Sequence, residues 1–381
     1  MKRVGLITIH GINNFGSLCQ AYATQRVIED LGYECEIINY KYPNEYHTKK
    51  AADCSPYAKL EPGFMQRVRL HYYRKFFCAK NIEKKSGLYK KCQEELLHLS
   101  KCYESKEKIA ENPPIYDIYL TGSDQVWNPR YLYEDMTFFL PFASKNKIAF
   151  SASFGTTEID EMHQQLMRPL LQDYLAISTR ELSGVEMVKK ICNRDAICTC
   201  DPTLLLSGNT WGQLFDDKPI VDGDYILCYI LTYTANPYPY AYKFVCHIKK
   251  LLRMKVVFID EEGYYWGDLR HKSFQVYGPR EIINLFKNSK FVISSSFHGA
   301  AFSLNFRKSF YSIFPRDVKD ERQESLLKIV GATGRFIRVG DSFPVATDVE
   351  IKNWNDIGDK LREYVSLSTN YLRNALELCA K

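Results

Sequence analysis

The chain has 381 residues, of which 45% are hydrophobic and 25% charged, a composition typical of soluble globular proteins. It is too long for one ordinary core, so two domains are expected. No segment approaches the run of about 18 apolar residues that a membrane span needs. The formal net charge is +6, and residues 47–110 alone contain 15 Lys or Arg and 7 Asp or Glu, a local charge of +8. The basic character therefore belongs to one segment.

The 12 cysteines are scattered and form no CxxC motif. The closest group, Cys192, Cys198 and Cys200, has no histidine at zinc-ligand spacing, so no metal site is expected. We interpret the cysteines as buried thiols in a reducing cytoplasm. The apolar start of the chain is too short for a signal peptide and has no small-residue cleavage site, so we expect a first strand there.

The first half of the chain alternates strand and helix patterns around a basic insert, residues 44–110. Three elements precede the insert: a strand over 2–9, a helix over 17–31 ended by Gly32, and a strand over 34–40. Within the insert, the four-residue spacing of Phe64, Val68, Tyr72 and Phe76 indicates a pair of amphipathic helices. The elements predicted after it are a strand ending at Gly122, a strand over 147–155, a helix over 160–175, a strand over 175–182, a helix over 183–191 and a closing segment over 196–206.

The second half repeats the alternation after a polar linker, residues 207–224. Its predicted strands cover 225–231, 255–260 and 290–296, and its predicted helices cover 238–253, 279–288, a segment opening at His298, and 353–377. Alternating elements of this kind predict two parallel, doubly wound α/β sheets. We expect one domain over 1–206, a second over 221–350, and a C-terminal helical segment, 351–381, that packs back on the first. Ligands of such folds bind outside the carboxyl ends of the strands.

The first candidate site is the turn HGINNFGS, which is longer than a strand-to-helix connection requires. It places Asn14, Gly16 and Ser17 at a helix amino end, where unpaired amides and the helix dipole favour anions. The structural alternative is that Asn14 or Ser17 caps the helix and Gly16 provides a left-handed turn. The GxGxxG pattern is missing, so a dinucleotide is not indicated.

The second candidate, TGSDQVWNP, places Ser123, Asp124 and Gln125 directly after a strand. Asp124 could act there as a general base, and Trp127 could stack on a sugar face. The alternatives are that Asp124 caps a helix and that Trp127 belongs to the core.

The third candidate, STREL, places Arg180 at a strand end, where its planar guanidinium could bind a carboxylate or phosphate. Glu181 beside it would orient the guanidinium or simply pair with it.

The strongest candidate is FVISSSFHGAAF, a buried strand that runs into a helix start. Its serines Ser294, Ser295 and Ser296 and the small Gly299 surround His298 without an evident packing reason. A histidine in the first turn of a helix suits a proton donor or a phosphate ligand.

Together these stretches resemble the polysaccharide pyruvyl transferase family over roughly residues 4–340. The matching motifs are Asn14-Phe15-Gly16, Gln20-Ala21-Tyr22-Ala23, Gly122-Ser123-Asp124-Gln125-Val126-Trp127, Ser178-Thr179-Arg180-Glu181, Asp201-Pro202-Thr203 and Ser296-Phe297-His298-Gly299. The resemblance implies a GT-B-like architecture of two facing Rossmann-type domains. It also implies transfer of a pyruvyl unit from phosphoenolpyruvate to two hydroxyls of a sugar, as a ketal, in cell-surface or exopolysaccharide biosynthesis.

By resemblance, Arg180 and His298 are donor-binding cations and Asp124 is an acid or base on the acceptor side. No cofactor or metal is implied beyond phosphoenolpyruvate as the donor substrate. The chain departs from the family pattern at Ser295 and Ser296, where other members carry an aspartate or an arginine. Arg322 is our candidate replacement for the missing positive charge.

Two other functions stay open on the sequence. The same fold and cations would serve a GT-B glycosyltransferase that uses a nucleotide-sugar, and the substituted serines would fit a non-catalytic glycan-binding relative. The basic insert has no nucleic-acid-binding module, so it is either a solvated surface or a contact for anionic lipids or a lipid-linked glycan acceptor. We therefore expect a cytoplasmic protein, with peripheral membrane contact in the second case.

Overall fold

The computed structural model describes residues 1–41, 79–132, 135–215, 218–231, 237, 239–259, 276–316 and 318–380. The described residues form two parallel β-sheets, one of six strands and one of five. We call the part of the chain built on each sheet the first lobe and the second lobe. Because the apolar strands are covered on both faces by helices, they read in the sequence as continuous hydrophobic runs.

The first lobe has the strand order β2-β1-β3-β4-β5-β6. Its strands are β1 (Arg3–Ile7), β2 (Glu34–Ile37), β3 (Ile118–Thr121), β4 (Lys147–Ala152), β5 (Tyr174–Thr179) and β6 (Ile197–Cys198). Its helices are α1 (Phe15–Asp30), α2 (Ala79–Leu96), α3 (Lys106–Glu111), α4 (Pro129–Leu132), α5 (Glu161–Gln172) and α6 (Leu182–Cys192).

The second lobe has the strand order β11-β10-β9-β7-β8. Its strands are β7 (Tyr225–Tyr229), β8 (Lys255–Ile259), β9 (Phe291–Ser294), β10 (Ser309–Phe314) and β11 (Phe336–Arg338). The helices after β6 are α7 (Gly208–Leu214), α8 (Tyr240–Leu252), α9 (Pro279–Asn288), α10 (Phe297–Asn305), α11 (Arg322–Ile329) and α12 (Trp354–Ala380). None of the helices in the described ranges is both long and apolar enough to cross a membrane.

The connection between the lobes differs from the sequence prediction. The polar linker predicted over 207–224 contains helix α7, because Ser207 caps it by accepting a hydrogen bond from the Thr210 amide at 3.0 Å. Trp211 anchors the helix: its indole is buried and donates a hydrogen bond to the Thr203 carbonyl at 2.9 Å. A polar composition therefore concealed a short helix that is anchored by Trp211, with Leu214 and Phe215 also packed on the core.

Part of the basic insert lies outside the described residues. That part includes all four residues on which the predicted helical pair was based, Phe64, Val68, Tyr72 and Phe76. The described part of the insert contains helices α2 and α3. Helix α2 reaches the β1–α1 turn, where the Asn13 side chain donates a hydrogen bond to the Ser86 hydroxyl at 2.7 Å. The Gln93 side chain also donates to the His10 carbonyl at 2.8 Å.

The C-terminal helix α12 packs against the first lobe. The Tyr371 hydroxyl donates a hydrogen bond to the Ala149 carbonyl of β4 at 2.9 Å, and the Ser368 hydroxyl accepts one from the Cys200 amide at 2.8 Å. The chain thus returns, after completing the second sheet, to the segment that follows β6.

Candidate active site

The predicted candidate stretches come together at the carboxyl ends of the strands. In the first lobe, the Ser17 hydroxyl after β1 donates a hydrogen bond to Asp124 Oδ2 at 2.5 Å, and Arg180 Nη2 after β5 lies 3.5 Å from Asp124 Oδ1. Three turns that are distant in the sequence thus share one carboxylate. This is the edge at which ligands bind in doubly wound folds.

Asp124 has a left-handed backbone conformation, with φ of 72°. Such a conformation is costly for a residue with a side chain and is concentrated at functional sites. It is not the helix cap that the sequence left as an alternative, because the next helix begins only at Pro129. The strained turn instead directs the carboxylate towards Ser17 and Arg180.

A second carboxylate, that of Asp201, joins the two lobes. Its Oδ2 accepts a hydrogen bond from Arg180 Nη1 at 2.7 Å and lies 3.5 Å from Nε2 of His298 in the second lobe. Ser123 donates to the same oxygen at 3.3 Å. Sequence reasoning quoted Asp201 only as part of a family motif and left it out of the site, although an acid directly after the last strand of the first sheet was the available signal.

His298 is the second residue of α10 and lies against the β1–α1 turn. A Cβ built on Gly16 would lie 1.8 Å from His298 Nδ1, so only glycine permits this approach. The neighbouring Phe297 ring stacks over Arg180, with the guanidinium carbon 4.5 Å from the ring centroid. The histidine of one lobe therefore enters the turn that opens the other.

Arg322 enters the same region at the start of α11. It is held by Asp320, with its Nε 2.8 Å from Oδ1 and its Nη2 2.5 Å from Oδ2. Arg322 interacts electrostatically with Asp124 and Glu181, which places it beside the first-lobe groups. Sequence reasoning proposed Arg322 but missed Asp320. The residues we call the charged cluster are Asp124, Arg180, Asp201, His298, Asp320 and Arg322.

The side chains of the cluster are buried to slightly different depths. The side chains of Asp124, His298 and Arg322 are 8%, 9% and 12% exposed, whereas those of Arg180 and Asp201 are 0% exposed. Arg180 is thus fully covered in this structure, and its contact with the donor stays a prediction. Its Nε makes no hydrogen bond to the described residues.

The buried acids of the cluster stay ionised. Burial alone would raise the pKa of Asp201, but His298 and Arg180 together hold it well below its usual value. Burial likewise opposes ionisation of Asp124, and Arg180, His298 and the Ser17 hydrogen bond lower the pKa of that carboxyl. Arg322 lowers the pKa of Asp320 in the same way against its burial.

Trp127 does not line the site. It is 0% exposed, stacks on Phe139 with centroids 5.2 Å apart, and packs edge-on against Tyr174 at 5.7 Å. The prediction that it stacks on a sugar is wrong, because neither face of the ring reaches the surface. Trp127 belongs to the first-lobe core.

Glu181 does not orient Arg180. One of its carboxylate oxygens accepts hydrogen bonds from the Phe154 amide at 2.7 Å and the Gly155 amide at 3.2 Å, so it holds the loop after β4. Burial raises the pKa of Glu181. The expectation that Glu181 orients or pairs with the Arg180 guanidinium is corrected, because the carboxylates beside that guanidinium are those of Asp124 and Asp201.

Several other predicted residues build the turns around the cluster. Asn14 accepts a hydrogen bond from the Ser17 amide at 3.1 Å, as an α1 cap, and Gln125 accepts one from Asn128 at 2.7 Å.

Ser294 donates to the Tyr229 carbonyl at 2.8 Å, and Ser295 accepts from the Leu231 amide at 2.8 Å. The close packing at Gly299 completes this set, since a Cβ there would lie 2.0 Å from Ser294 Oγ.

Ser296 precedes α10 as its cap residue, but its side chain makes no capping hydrogen bond. The amino end of α10 beside His298 therefore keeps its positive field unmasked by a side-chain cap. This is one feature of the serine-rich stretch that favours an anion.

The fold places the chain in a class. Two parallel α/β lobes that meet at the carboxyl ends of their strands, with charged groups from both at the junction, define a GT-B-like transferase architecture. Arabidopsis thaliana UGT89C1, solved with UDP-L-rhamnose, has a similar fold, with a TM-score of 0.51, 11% identity, and coverage of 100% of this chain and 98% of that one. Staphylococcus aureus MnaA, solved with UDP, reaches a TM-score of 0.45 at 11% identity and covers 98% of this chain and 91% of its own. A comparison with curated proteins found no match.

The family assignment comes from the sequence as a whole. The model of the polysaccharide pyruvyl transferase family matches residues 14–313, which include all the turns of the charged cluster except the segment of Asp320 and Arg322. The chain belongs to the polysaccharide pyruvyl transferase family. The resemblance found in the motifs and the GT-B-like fold it implied are both confirmed.

Proposed function

We propose that the protein transfers a pyruvyl unit from phosphoenolpyruvate to two hydroxyls of a sugar, forming a cyclic ketal and releasing inorganic phosphate. The observation that carries the proposal is the meeting of His298, at a helix amino end of the second lobe, with Asp124 and Asp201 of the first. A histidine at a helix amino end and two carboxylates at one junction provide both an anion site and a proton acceptor.

The donor carries up to three negative charges, so its pocket must supply positive field. In the charged cluster both arginines are paired with aspartates, Arg180 with Asp201 and Arg322 with Asp320. Among the described residues, His298 and the amino end of α10 are therefore the main sources of positive field left for a phosphate. Arg322, which is partly accessible, would take the second anionic group of the donor.

The reaction begins by protonation of the donor's methylene carbon, which leaves a cationic carbon next to the ester oxygen. A sugar hydroxyl adds to that carbon and loses its proton. The bond from carbon to the phosphate oxygen then breaks, phosphate leaves with its electron pair, and the second hydroxyl adds and loses its proton. The two hydroxyl protons are balanced by one on the new methyl group and one on the phosphate.

Asp124 is suited to accept the hydroxyl proton. Its lowered pKa keeps it ionised at neutral pH but makes it a weak base. A weak base is sufficient, since a hydroxyl that has added to a cationic carbon is strongly acidic. His298 would hold the phosphate and supply the proton for the methylene carbon. Arg180 would hold the carboxylates of Asp124 and Asp201 in place.

The acceptor is proposed to be a lipid-linked glycan. The observation that favours this is the contact of α2 with the β1–α1 turn through Ser86 and Asn13, because Lys84 and Lys85 directly precede Ser86 in that helix. Basic residues there would attract the pyrophosphate of such an acceptor or the anionic membrane around it.

The direct test is release of inorganic phosphate from phosphoenolpyruvate in the presence of a panel of sugar and lipid-linked acceptors. The proposal predicts phosphate release that requires an acceptor and a ketal in the product. Phosphate release without any acceptor dependence, or transfer of a sugar from a nucleotide-sugar instead, would contradict it.

A further inference from the structure

We infer that Asp201 is a positioning residue that holds the imidazole of His298 across the lobe junction, with the Nε2–H group turned towards Asp201 and Nδ1 lying against Gly16. The inference deepens the proposed function and rests on it for the role of His298. It assigns a task to a residue that the sequence analysis quoted within the Asp201-Pro202-Thr203 motif but did not include in the predicted site.

The carboxylate of Asp201 is fixed before any ligand arrives. Its Oδ1 accepts hydrogen bonds from the Thr203 amide at 2.9 Å and the Thr203 hydroxyl at 2.7 Å. Its Oδ2 accepts from Arg180 at 2.7 Å and Ser123 at 3.3 Å. With donors on both oxygens and no exposed surface, the group is held in one orientation, and its lowered pKa keeps it ionised at neutral pH.

The two nitrogens of His298 have different surroundings. Nε2 is buried, makes no hydrogen bond to a described residue, and lies 3.5 Å from Asp201 Oδ2. Nδ1 faces the backbone of Gly16, the second residue of α1. A fixed anion beside Nε2 favours a proton on that nitrogen, whether or not Nδ1 also carries one.

The arrangement crosses the junction between the lobes. His298 belongs to the second lobe. The two groups that fix the orientation of its ring, Asp201 and Gly16, belong to the first. The histidine is therefore oriented only while the lobes are in contact. Separation of the lobes would remove both the acceptor for Nε2–H and the surface against which the ring lies.

The test is the substitution Asp201→Asn in the full chain. Asparagine keeps the volume and an oxygen for the Thr203 bonds, but it removes the charge that faces His298. Nitrogen-15 NMR of the imidazole, which reports the protonated nitrogen, should show Nε2–H in the wild type and a loss of that preference in the variant. The turnover number for phosphate release should fall about tenfold or more, with a KM for phosphoenolpyruvate changed less than about threefold.

Asp320→Asn is the matched control for the NMR signature, because it removes a buried carboxylate paired with Arg322 and not with His298. It should leave the protonated nitrogen of His298 unchanged. If Asp201→Asn does not fold, Thr203→Val removes one of the hydroxyl bonds that hold Asp201 and should reduce the Nε2–H preference to a smaller extent.

An unchanged imidazole spectrum in the folded variant would overturn the inference. So would a spectrum with the proton on Nδ1 in the wild type. The NMR result does not depend on turnover, so it separates a failure of the positioning role from a failure of the proposed reaction, which the phosphate-release assay reports by itself.

Discussion

At Gly16 the absence of a side chain decides whether the histidine of one lobe can enter the turn of the other. The two groups approach so closely that any Cβ must displace the imidazole, because three ring atoms of His298 lie within 2.3 Å of that position. The glycine is therefore a requirement of the site and not only of the turn.

We predict that Gly16→Ala lowers the rate of phosphate release at least tenfold by displacing His298, an effect on the scale expected when a catalytic group is misplaced by about 1 Å. Gly11→Ala is the matched control, since a Cβ at Gly11 would meet nothing within 4 Å. Steady-state assays of both purified variants, with thermal unfolding to verify folding, provide the measurement. Equal activities of the two variants would contradict the proposed approach of His298.

The buried aspartates link stability to pH. The pKa values of Asp124, Asp201 and Asp320 are lowered on folding from their usual value of 3.8, so their ionised forms stabilise the native state. That contribution is complete well above pH 3.8 and is lost as the pH falls through the lower folded-state values. Denaturant unfolding at a series of pH values should show the free energy of unfolding falling as the pH approaches 4 and below. A free energy of unfolding that is constant or rises over that range would contradict the assigned ionisation.

Helix α12 supports the element that carries Asp201. Ser368 accepts the hydrogen bond of the Cys200 amide, directly before Asp201 in the chain. We predict that Ser368→Ala lowers the free energy of unfolding by about 1–3 kcal/mol, since it leaves a buried amide unpaired. Thr369→Ala serves as the control, because among the described residues the Thr369 hydroxyl bonds only to the Val365 carbonyl of its own helix. Equal losses in urea unfolding of the two variants would show that the contact between α12 and Cys200 does not stabilise the fold.

Helix α2 offers two pairs of lysines with different surroundings. Lys90 and Lys91 lie near Glu94 and Glu95, with nitrogen-to-oxygen distances of 3.8 and 3.9 Å, whereas Lys84 and Lys85 directly precede Ser86, which contacts the β1–α1 turn. We predict that reversing Lys84 and Lys85 to Glu weakens binding to anionic vesicles and activity on a lipid-linked acceptor. Activity on a soluble acceptor should be unchanged.

Reversal of Lys90 and Lys91 is the matched comparison and should have a smaller effect on vesicle binding. Vesicle sedimentation of both double variants provides the measurement. If neither variant differs from the wild type, α2 is a solvated surface and the acceptor does not approach from its side.

On the scale of the whole molecule, the two lobes are joined by apolar as well as charged contacts. Phe15, the first residue of α1, packs against Phe302 and Phe286 of the second lobe, with ring centroids 4.8 and 6.1 Å apart. An ion pair between Glu158 and Lys319 bridges the lobes at the loop after β4. The position of His298 is thus set by an extended interface and not by Asp201 alone.

The sequence predicted the alternation of strands and helices well, because buried parallel strands leave unbroken apolar runs such as FVIS before Ser295. It did not reveal the last strands of the second sheet, β10 and β11, where polar and charged residues interrupt the apolar run. Nor could it show that Arg180 is covered and Trp127 is in the core, since depth below the surface depends on how the lobes meet. Asp201 was hidden for the same reason, as its partners come from turns far apart in the chain.

The central claim is that groups from both lobes form one site for a small, highly charged donor. Isothermal titration of the wild type, His298→Ala and Arg322→Ala with phosphoenolpyruvate and, separately, with UDP tests it most directly. We predict saturable binding of phosphoenolpyruvate that is weakened at least about tenfold in each variant, as expected when one charged partner of an anion is removed. Saturable binding of UDP with no binding of phosphoenolpyruvate would contradict the account.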